Sequence, residues 1–132
     1  SIKTHTFRLL PGADLYQGIE DFVQEREIEA GHISTCVGSL TTAVLRLADR
    51  DQFTSWEGPF EILTLSGTVS VHGSHLHLAL ADGRGKTLGG HLVNGCLVYT
   101  TAEVVILEEE SCSYHRELCQ SSGYPELVVK KK

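Results

Sequence analysis

The sequence lacks any long apolar run. No uninterrupted hydrophobic stretch approaches the roughly 20 residues that cross a bilayer as a helix. The opening residues, Ser1–Thr6, also lack the apolar core and the cleavage site of a secretory signal peptide. We therefore expect a protein of the cytoplasm, or of the nucleus, that has no membrane partner.

Positive charge is also scarce. The 11 lysines and arginines are outnumbered by 17 aspartates and glutamates, which gives a formal net charge of −6. The only basic run is the Lys130–Lys132 tail. A nucleic-acid surface needs clustered positive charge, so this composition argues against direct, specific binding to duplex DNA.

The four cysteines contain no Cys-x-x-Cys pair, and their spacing matches no common zinc module. Cys36 and Cys96 stand in apolar runs, which predicts that they pack as small buried hydrophobic residues. A chain of 132 residues can build a core without disulfides, so we expect reduced thiols.

Hydrophobic periodicity predicts a single α+β domain over residues 1–132, with one main helix packed on a roughly seven-stranded, mainly antiparallel sheet. An apolar stripe predicts the helix over Asp14–Glu29, with Asp14 as N-cap and Gln17 as its reciprocal partner. Arg50–Gly58 is typical of a polar loop, and Ser113–Gln120 of a short helical turn. Seven segments have strand character: residues 2–10, Ile33–Val37, Ala43–Ala48, Phe60–Val71, Ser74–Ala81, Thr87–Leu92 and Leu97–Leu107. Pro125–Val129 is a further candidate, for a final edge strand.

Three histidines flank a glycine-rich turn and form the most informative pattern in the chain. The segment that begins at Ser74 is SHLHLALADGRGKTLGGHL. His75 and His77 are two residues apart in a strand-like run, so they point to the same face of the strand. His91 follows on the far side of the turn.

The turn itself places His91 beside the other two. Asp82–Lys86 is typical of a hairpin with a three-residue loop, in which Gly85 takes the left-handed conformation. If the two ends of that turn pair, counting back along both strands puts His77 directly opposite His91. Directly opposed residues share a face, with Cβ atoms about 5 Å apart. Local chain geometry therefore predicts three imidazoles on one patch.

Such a patch is suited to a metal. Three neutral imidazoles bind zinc and leave a fourth position for water or a small-molecule ligand. Calcium and magnesium prefer oxygen ligands, so zinc is the expected ion. We predict a zinc site formed by His75, His77 and His91. The alternative is a polar sheet face or subunit interface on which the histidines are hydrogen-bonded.

Several motifs in combination resemble the plant-and-prokaryote-conserved (PPC) domain, also called DUF296. The motifs are GPFEILTLSGTV from Gly58, His-Leu-His from His75, DGRG from Asp82 and GGHL from Gly89, with VGSL upstream from Val37. The likeness covers about residues 3–110 and leaves residues 111–132 as a C-terminal extension.

The resemblance implies a compact α+β domain that assembles into homotrimers. It also implies a metal on the histidines that match His75, His77 and His91. In plants the domain is often attached to an AT-hook, which binds DNA, but this chain contains no Arg-Gly-Arg-Pro motif. Pro59 stands where the plant motif has an arginine that bears on partner recognition. The plant functions are therefore not implied here.

Three functions are compatible with these features. The first is a trimeric, metal-binding PPC-type protein whose physiological ligand is unknown. The second is a small zinc-dependent enzyme that uses the open coordination position. The third is a transcription-associated protein-interaction domain. We favour the first, and the sequence leaves open whether the chain is an enzyme.

Other polar residues have simpler explanations. Glu61 and Glu103 interrupt apolar strands and could hold a histidine or act as a base, but solvent-facing positions are expected more often for carboxylates. His72 is expected to be exposed. His32 could approach the three histidines, although a surface position is the simpler expectation.

Overall fold

A computed structural model describes residues 1–132 as an α+β domain with one helix and eight strands. The predicted fold class is confirmed, with eight strands in two sheets where the sequence predicted about seven. In chain order, the elements are β1 (Ile2–Leu9), α1 (Leu15–Glu25), β2 (Gly31–Arg46), β3 (Phe53–Val69), β4 (His75–Ala81), β5 (Thr87–Leu92), β6 (Val98–Glu109), β7 (Cys112–Leu118) and β8 (Pro125–Lys131).

Six strands form one antiparallel sheet that closes on itself. The strand order is β1-β6-β2-β3-β4-β5, and the last residues of β2, Leu45 and Arg46, also pair with β5. Strands β2, β3, β4 and β5 therefore form a closed ring, while β7 and β8 form a separate hairpin. The closure is important for the site because it brings the end of β2 beside His91 on β5.

Helix α1 begins where the sequence predicted and ends earlier. Asp14 is the N-cap, and its Oδ1 accepts a hydrogen bond from the Gln17 amide at 2.9 Å. The prediction that the Gln17 side chain bonds back to Asp14 is wrong, because this side chain donates to Asp21 instead, at 2.8 Å. The helix ends at Glu25 rather than Glu29 because the chain turns through Glu27, whose φ is +53°.

Two predicted breaks in the sheet are also wrong. Ile33–Val37 and the part of Ala43–Ala48 up to Arg46 belong to one strand, β2, which continues with register shifts between β3 on one side and β6 on the other. The predicted loop Arg50–Gly58 contains the first part of β3, whose Phe53 pairs with Arg46. Partners that are distant in sequence supply the backbone hydrogen bonds in both cases, and local composition does not show them.

The predicted helical turn at Ser113–Gln120 is wrong for the same reason. Residues 112–118 form β7, which pairs in antiparallel fashion with β8. The β7–β8 hairpin is held on the domain by hydrogen bonds: the Tyr114 amide donates to the Glu29 carbonyl at 2.8 Å, and the Ser70 hydroxyl donates to the Tyr114 carbonyl at 2.9 Å. Strand β8 also extends two residues beyond the predicted edge segment, to Lys131.

The core lies between the helix and one face of the closed sheet. Leu15, Ile19 and Val23 form the fully buried face of α1, and burying each such side chain contributes about 1.5–3 kcal/mol. Cys36 and Cys96 are buried in the same core, as predicted, and all four cysteines are free. Burial raises the pKa of Cys36 to about 12 and of Cys96 to about 11, so neither thiol is a nucleophile at neutral pH. No helix in the structure is long and apolar enough to cross a membrane.

Candidate metal centre

The hairpin between β4 and β5 has the predicted register. The Asp82 amide donates to the Lys86 carbonyl at 2.9 Å, and Gly85 takes a left-handed φ of +81°. Asp82 Oδ1 also accepts from the backbone amide of Lys86 at 2.9 Å, which stabilises the loop. From this turn the pairing continues to His77, which lies directly opposite His91.

The three histidines form one compact group. Their ring centroids are 4.5 Å apart for His77 and His91, 5.0 Å for His75 and His77, and 5.2 Å for His75 and His91. One nitrogen from each ring lies within 4.8 Å of the others. Alternation along β4 buries Leu76 and Leu78 and leaves His75 and His77 exposed, so the group lies on the outer face of the ring of strands.

The donor set fits a first-row divalent metal. In a tetrahedral zinc site, bonds of about 2.0–2.1 Å place the ligand nitrogens about 3.3 Å apart. The ligand nitrogens of the three histidines lie within 4.8 Å of one another. Rotation of the side chains can bring them to the separation that zinc requires. The ring nitrogens also have no protein partner: His5 and His115 make side-chain hydrogen bonds, whereas His75, His77 and His91 make none.

The surroundings favour neutral imidazoles, the form that binds metal. Partial burial is the main cause of a lowered pKa at His75, and the positive charges of His77 and Arg116 lower it further. Burial also lowers the pKa of His91, followed by the positive charge of Arg46. Both shifts reduce the competition between protons and a metal near neutral pH.

Two arginines lie beside the group. Arg46 is directly opposite His91 in the β2–β5 pairing, so the two side chains share a face. Arg116, on β7, donates to the Thr68 hydroxyl at 2.9 Å, and Thr68 is directly opposite His75. Each arginine is half-buried.

Two cavities meet over the histidines. One has a volume of about 450 Å³ and is lined by His75, His77, Arg116 and Glu126, among others. The other, of about 490 Å³, lies between Arg46, His75, His91, Arg116, Tyr124 and Glu126, with further residues at its edge. Sizes in this range are typical of small-molecule sites.

Sequence reasoning missed Arg46, Arg116 and Glu126. Alternation past the buried Ala43 and Leu45 indicates that Arg46 points outward, but the strand it meets there is set by closure of the sheet. Arg116 and Glu126 reach the site only because β7 and β8 form a hairpin beside β3 and β4, and no local signal in the sequence shows that placement.

The remaining sequence candidates lie outside the group. His32 is exposed and pairs with Thr68, one strand away from His75. His72 is exposed, as expected, and stacks on His115 with ring centroids 4.1 Å apart. Glu61 and Glu103 both face solvent, so neither holds a histidine.

The fold and the site define a class: a small α+β domain with a ring of four strands and an exposed group of three histidines on it. The sequence model of the Plants and Prokaryotes Conserved domain family matches residues 1–110. The chain belongs to this family, which confirms the resemblance seen in the sequence.

Curated relatives match almost the whole chain but are much longer than it. The chain is 44% identical over 131 residues to the bifunctional protein GlmU of Synechococcus sp. (strain JA-3-3Ab); the match covers 99% of the chain but only 21% of that protein. The chain therefore spans about a fifth of the length of the curated relatives it matches.

Two solved structures are similar over almost the whole chain. A hypothetical protein from Salmonella cholerae-suis is 41% identical, with a TM-score of 0.98, and the match covers 100% of this chain and 96% of that one. A metal-containing protein from Archaeoglobus fulgidus is 31% identical, with a TM-score of 0.81, over 96% of this chain and 93% of that one.

Proposed function

We propose that this PPC-family protein binds one zinc ion per subunit through His75, His77 and His91. The observation that carries the proposal is the convergence of three imidazole nitrogens, each within 4.8 Å of the others, on an exposed face. Bound there, zinc would supply Lewis acidity and an open coordination position. The chain's own contribution is to keep the three rings close together and to lower the pKa of His75 and His91.

Two further observations support this proposal over hydrogen-bonded surface histidines. The three rings find no hydrogen-bond partner within the chain, although other histidines do. A relative that is 31% identical over nearly the whole chain is described as metal-containing.

Elemental analysis of the purified protein tests the proposal. The protein is stripped with a chelator, dialysed against zinc, and freed of excess metal before the zinc-to-protein ratio is measured. We expect a ratio near one. A ratio near zero for the folded protein under these conditions would contradict the proposal.

We also propose that the chain is a homotrimer, as the family resemblance implies. Neighbouring strands of the large sheet expose apolar side chains at their outer face, including Val37 at 56%, Leu63 at 52% and Tyr99 at 50%. Exposed apolar surface of this kind is commonly covered by association. Light scattering should give about three times the chain mass of 14.4 kDa, and a monomer mass at all concentrations would exclude the trimer.

Specific binding to duplex DNA is not part of this proposal. Lys130 pairs with Glu117 and Lys132 with Glu29, so two lysines of the only basic run are partly neutralised by carboxylates. Any association with DNA should be weak and should disappear as salt rises. Tight binding to one sequence at physiological salt would contradict this expectation.

A further inference from the structure

The arginines beside the histidine group lack carboxylate partners. Ion pairs within 4.0 Å occur elsewhere in the chain, and none includes Arg46 or Arg116. Each arginine uses one hydrogen bond to hold its place: Arg116 donates to Thr68 at 2.9 Å, and Arg46 to the Arg50 carbonyl at 3.4 Å. A guanidinium has five N–H donors, so both retain donors for a ligand.

The histidine group lies in a region without the excess negative charge of the whole protein. The chain carries a formal net charge of −6, yet the cavity of about 490 Å³ includes both arginines together with two histidines of the group. Asp49 and Glu126 are the carboxylates that line it. Two guanidinium groups balance these carboxylates, and a divalent metal on neutral imidazoles would leave the cavity positive.

We propose that this cavity binds a small carboxylate, held by Arg46 and Arg116 beside the metal; the inference rests on the proposed metal site. Arginine recognises planar oxyanions through paired N–H donors. A monoanionic carboxylate suits the site better than phosphate, because a doubly charged ligand would lie close to Glu126. The uncharged tail of the ligand would point along the cavity toward Tyr124.

The C-terminal hairpin gives the site much of its ligand specificity. Arg116, Tyr124 and Glu126 lie on β7, on β8 or between them, beyond residues 1–110 that the family model matches. The histidines lie inside that range. The family domain thus supplies the metal ligands, and the hairpin supplies one of the two carboxylate-binding arginines.

Binding of propionate to the zinc-loaded full chain, followed by NMR or calorimetry, tests the inference. Propionamide has nearly the same shape without the charge and serves as the matched ligand. We expect propionate to bind at least about tenfold more tightly than propionamide, because it gains charge-assisted hydrogen bonds. The variants Arg46→Gln and Arg116→Gln should each lose about tenfold in propionate affinity while keeping one zinc per subunit.

Arg84→Gln is the control variant, because Arg84 is exposed in the β4–β5 turn, away from the cavity; its propionate affinity should be unchanged. Arg46→Gln and Arg116→Gln lie on different elements, so a folding defect in one leaves the other as a test. The inference is wrong if fully metallated wild type does not bind propionate, if neither variant weakens binding, or if inorganic phosphate binds more tightly than propionate. A wild type that binds no zinc overturns the metal proposal together with this one, and the zinc ratio separates that outcome from the rest.

Discussion

His5 and the group formed by His75, His77 and His91 show two different uses of histidine in one small domain. His5 is buried, with 6% of its surface exposed, and its Nε2 lies 2.8 Å from Glu108 Oε1. Its ring also packs edge-on against Phe22. The three grouped rings are more exposed, contact one another, and have no hydrogen-bond partner.

The difference separates a structural histidine from a candidate ligand. A buried imidazole needs a hydrogen-bond partner, since an unsatisfied polar group in the interior costs about 1–3 kcal/mol. The exposed group carries no such constraint, and nothing in folding alone requires three imidazoles to face one another. The predictions below test this contrast, in order of their expected effect on metal affinity.

The largest effect is expected from His77→Ala, which removes the central ligand of the group. Metal affinity should fall by more than about a hundredfold, because two imidazoles without a third protein ligand make a poor zinc site. His32→Ala is the matched control, since His32 is exposed outside the group. Competition with a zinc-sensitive dye gives both affinities. Equal zinc affinities in the His77→Ala and His32→Ala variants would show that His77 is not a metal ligand.

The second-largest effect is expected from acidification, which should release the metal. The folded-state pKa values of His75 and His91 are lowered, mainly by burial. Groups with a lowered folded pKa contribute stability above the unfolded value of about 6.5, and that stability is lost as pH falls through the lowered folded value. Bound metal extends the effect, because binding requires neutral rings.

Melting curves and zinc ratios measured from pH 8 to pH 5 check this expectation. Wild type should lose metal and melting temperature on the acid side of about pH 6.5. A His75→Ala, His77→Ala, His91→Ala variant should show a much flatter response, apart from the common background of the other titrating groups. Parallel curves for the two proteins would indicate that the group is a polar surface only.

Gly67→Ala should weaken the site by distorting a strand. Gly67 is on β3 opposite Leu76, between the two histidines of β4. Its φ is +138°, and a Cβ there would overlap the carbonyl oxygen of His75. We expect a loss of about 1–3 kcal/mol in the free energy of unfolding and a metal affinity about tenfold lower.

Gly83→Ala is the control for that experiment, since a Cβ at Gly83 meets nothing within 4 Å. Urea denaturation and zinc titration of both variants measure the two effects. If Gly67→Ala changes neither quantity, the approach of β3 to β4 does not position the histidines.

The smallest effect on metal affinity is expected from His5→Ala, which tests the structural member of the pair. The variant leaves the Glu108 side chain, only 13% exposed, without its partner. Stability measured with chelator present should fall by about 1–3 kcal/mol, whereas zinc affinity should be unchanged. A loss of zinc without a loss of stability would reverse the assignment of the two histidine types.

Much of the fold follows from local signals in the sequence. The capping carboxylate of Asp14 and the apolar stripe predict where α1 begins, and β-branched runs predict most strands. The errors occur where the partner is far away in sequence. Residues 53–57 pair with β2, and β7 pairs with β8, so residues of ordinary loop or helical composition became strands.

The candidate site divides in the same way. A three-residue hairpin loop with Gly85 at its left-handed position determines the register, so the approach of His77 to His91 was predictable from the sequence alone. Arg46 meets His91 only because β2 and β5 close the ring of strands, and Arg116 and Glu126 reach His75 only because the C-terminal hairpin packs on the domain. Short-range chain geometry thus determined the histidine group, and long-range packing decided which charges surround it.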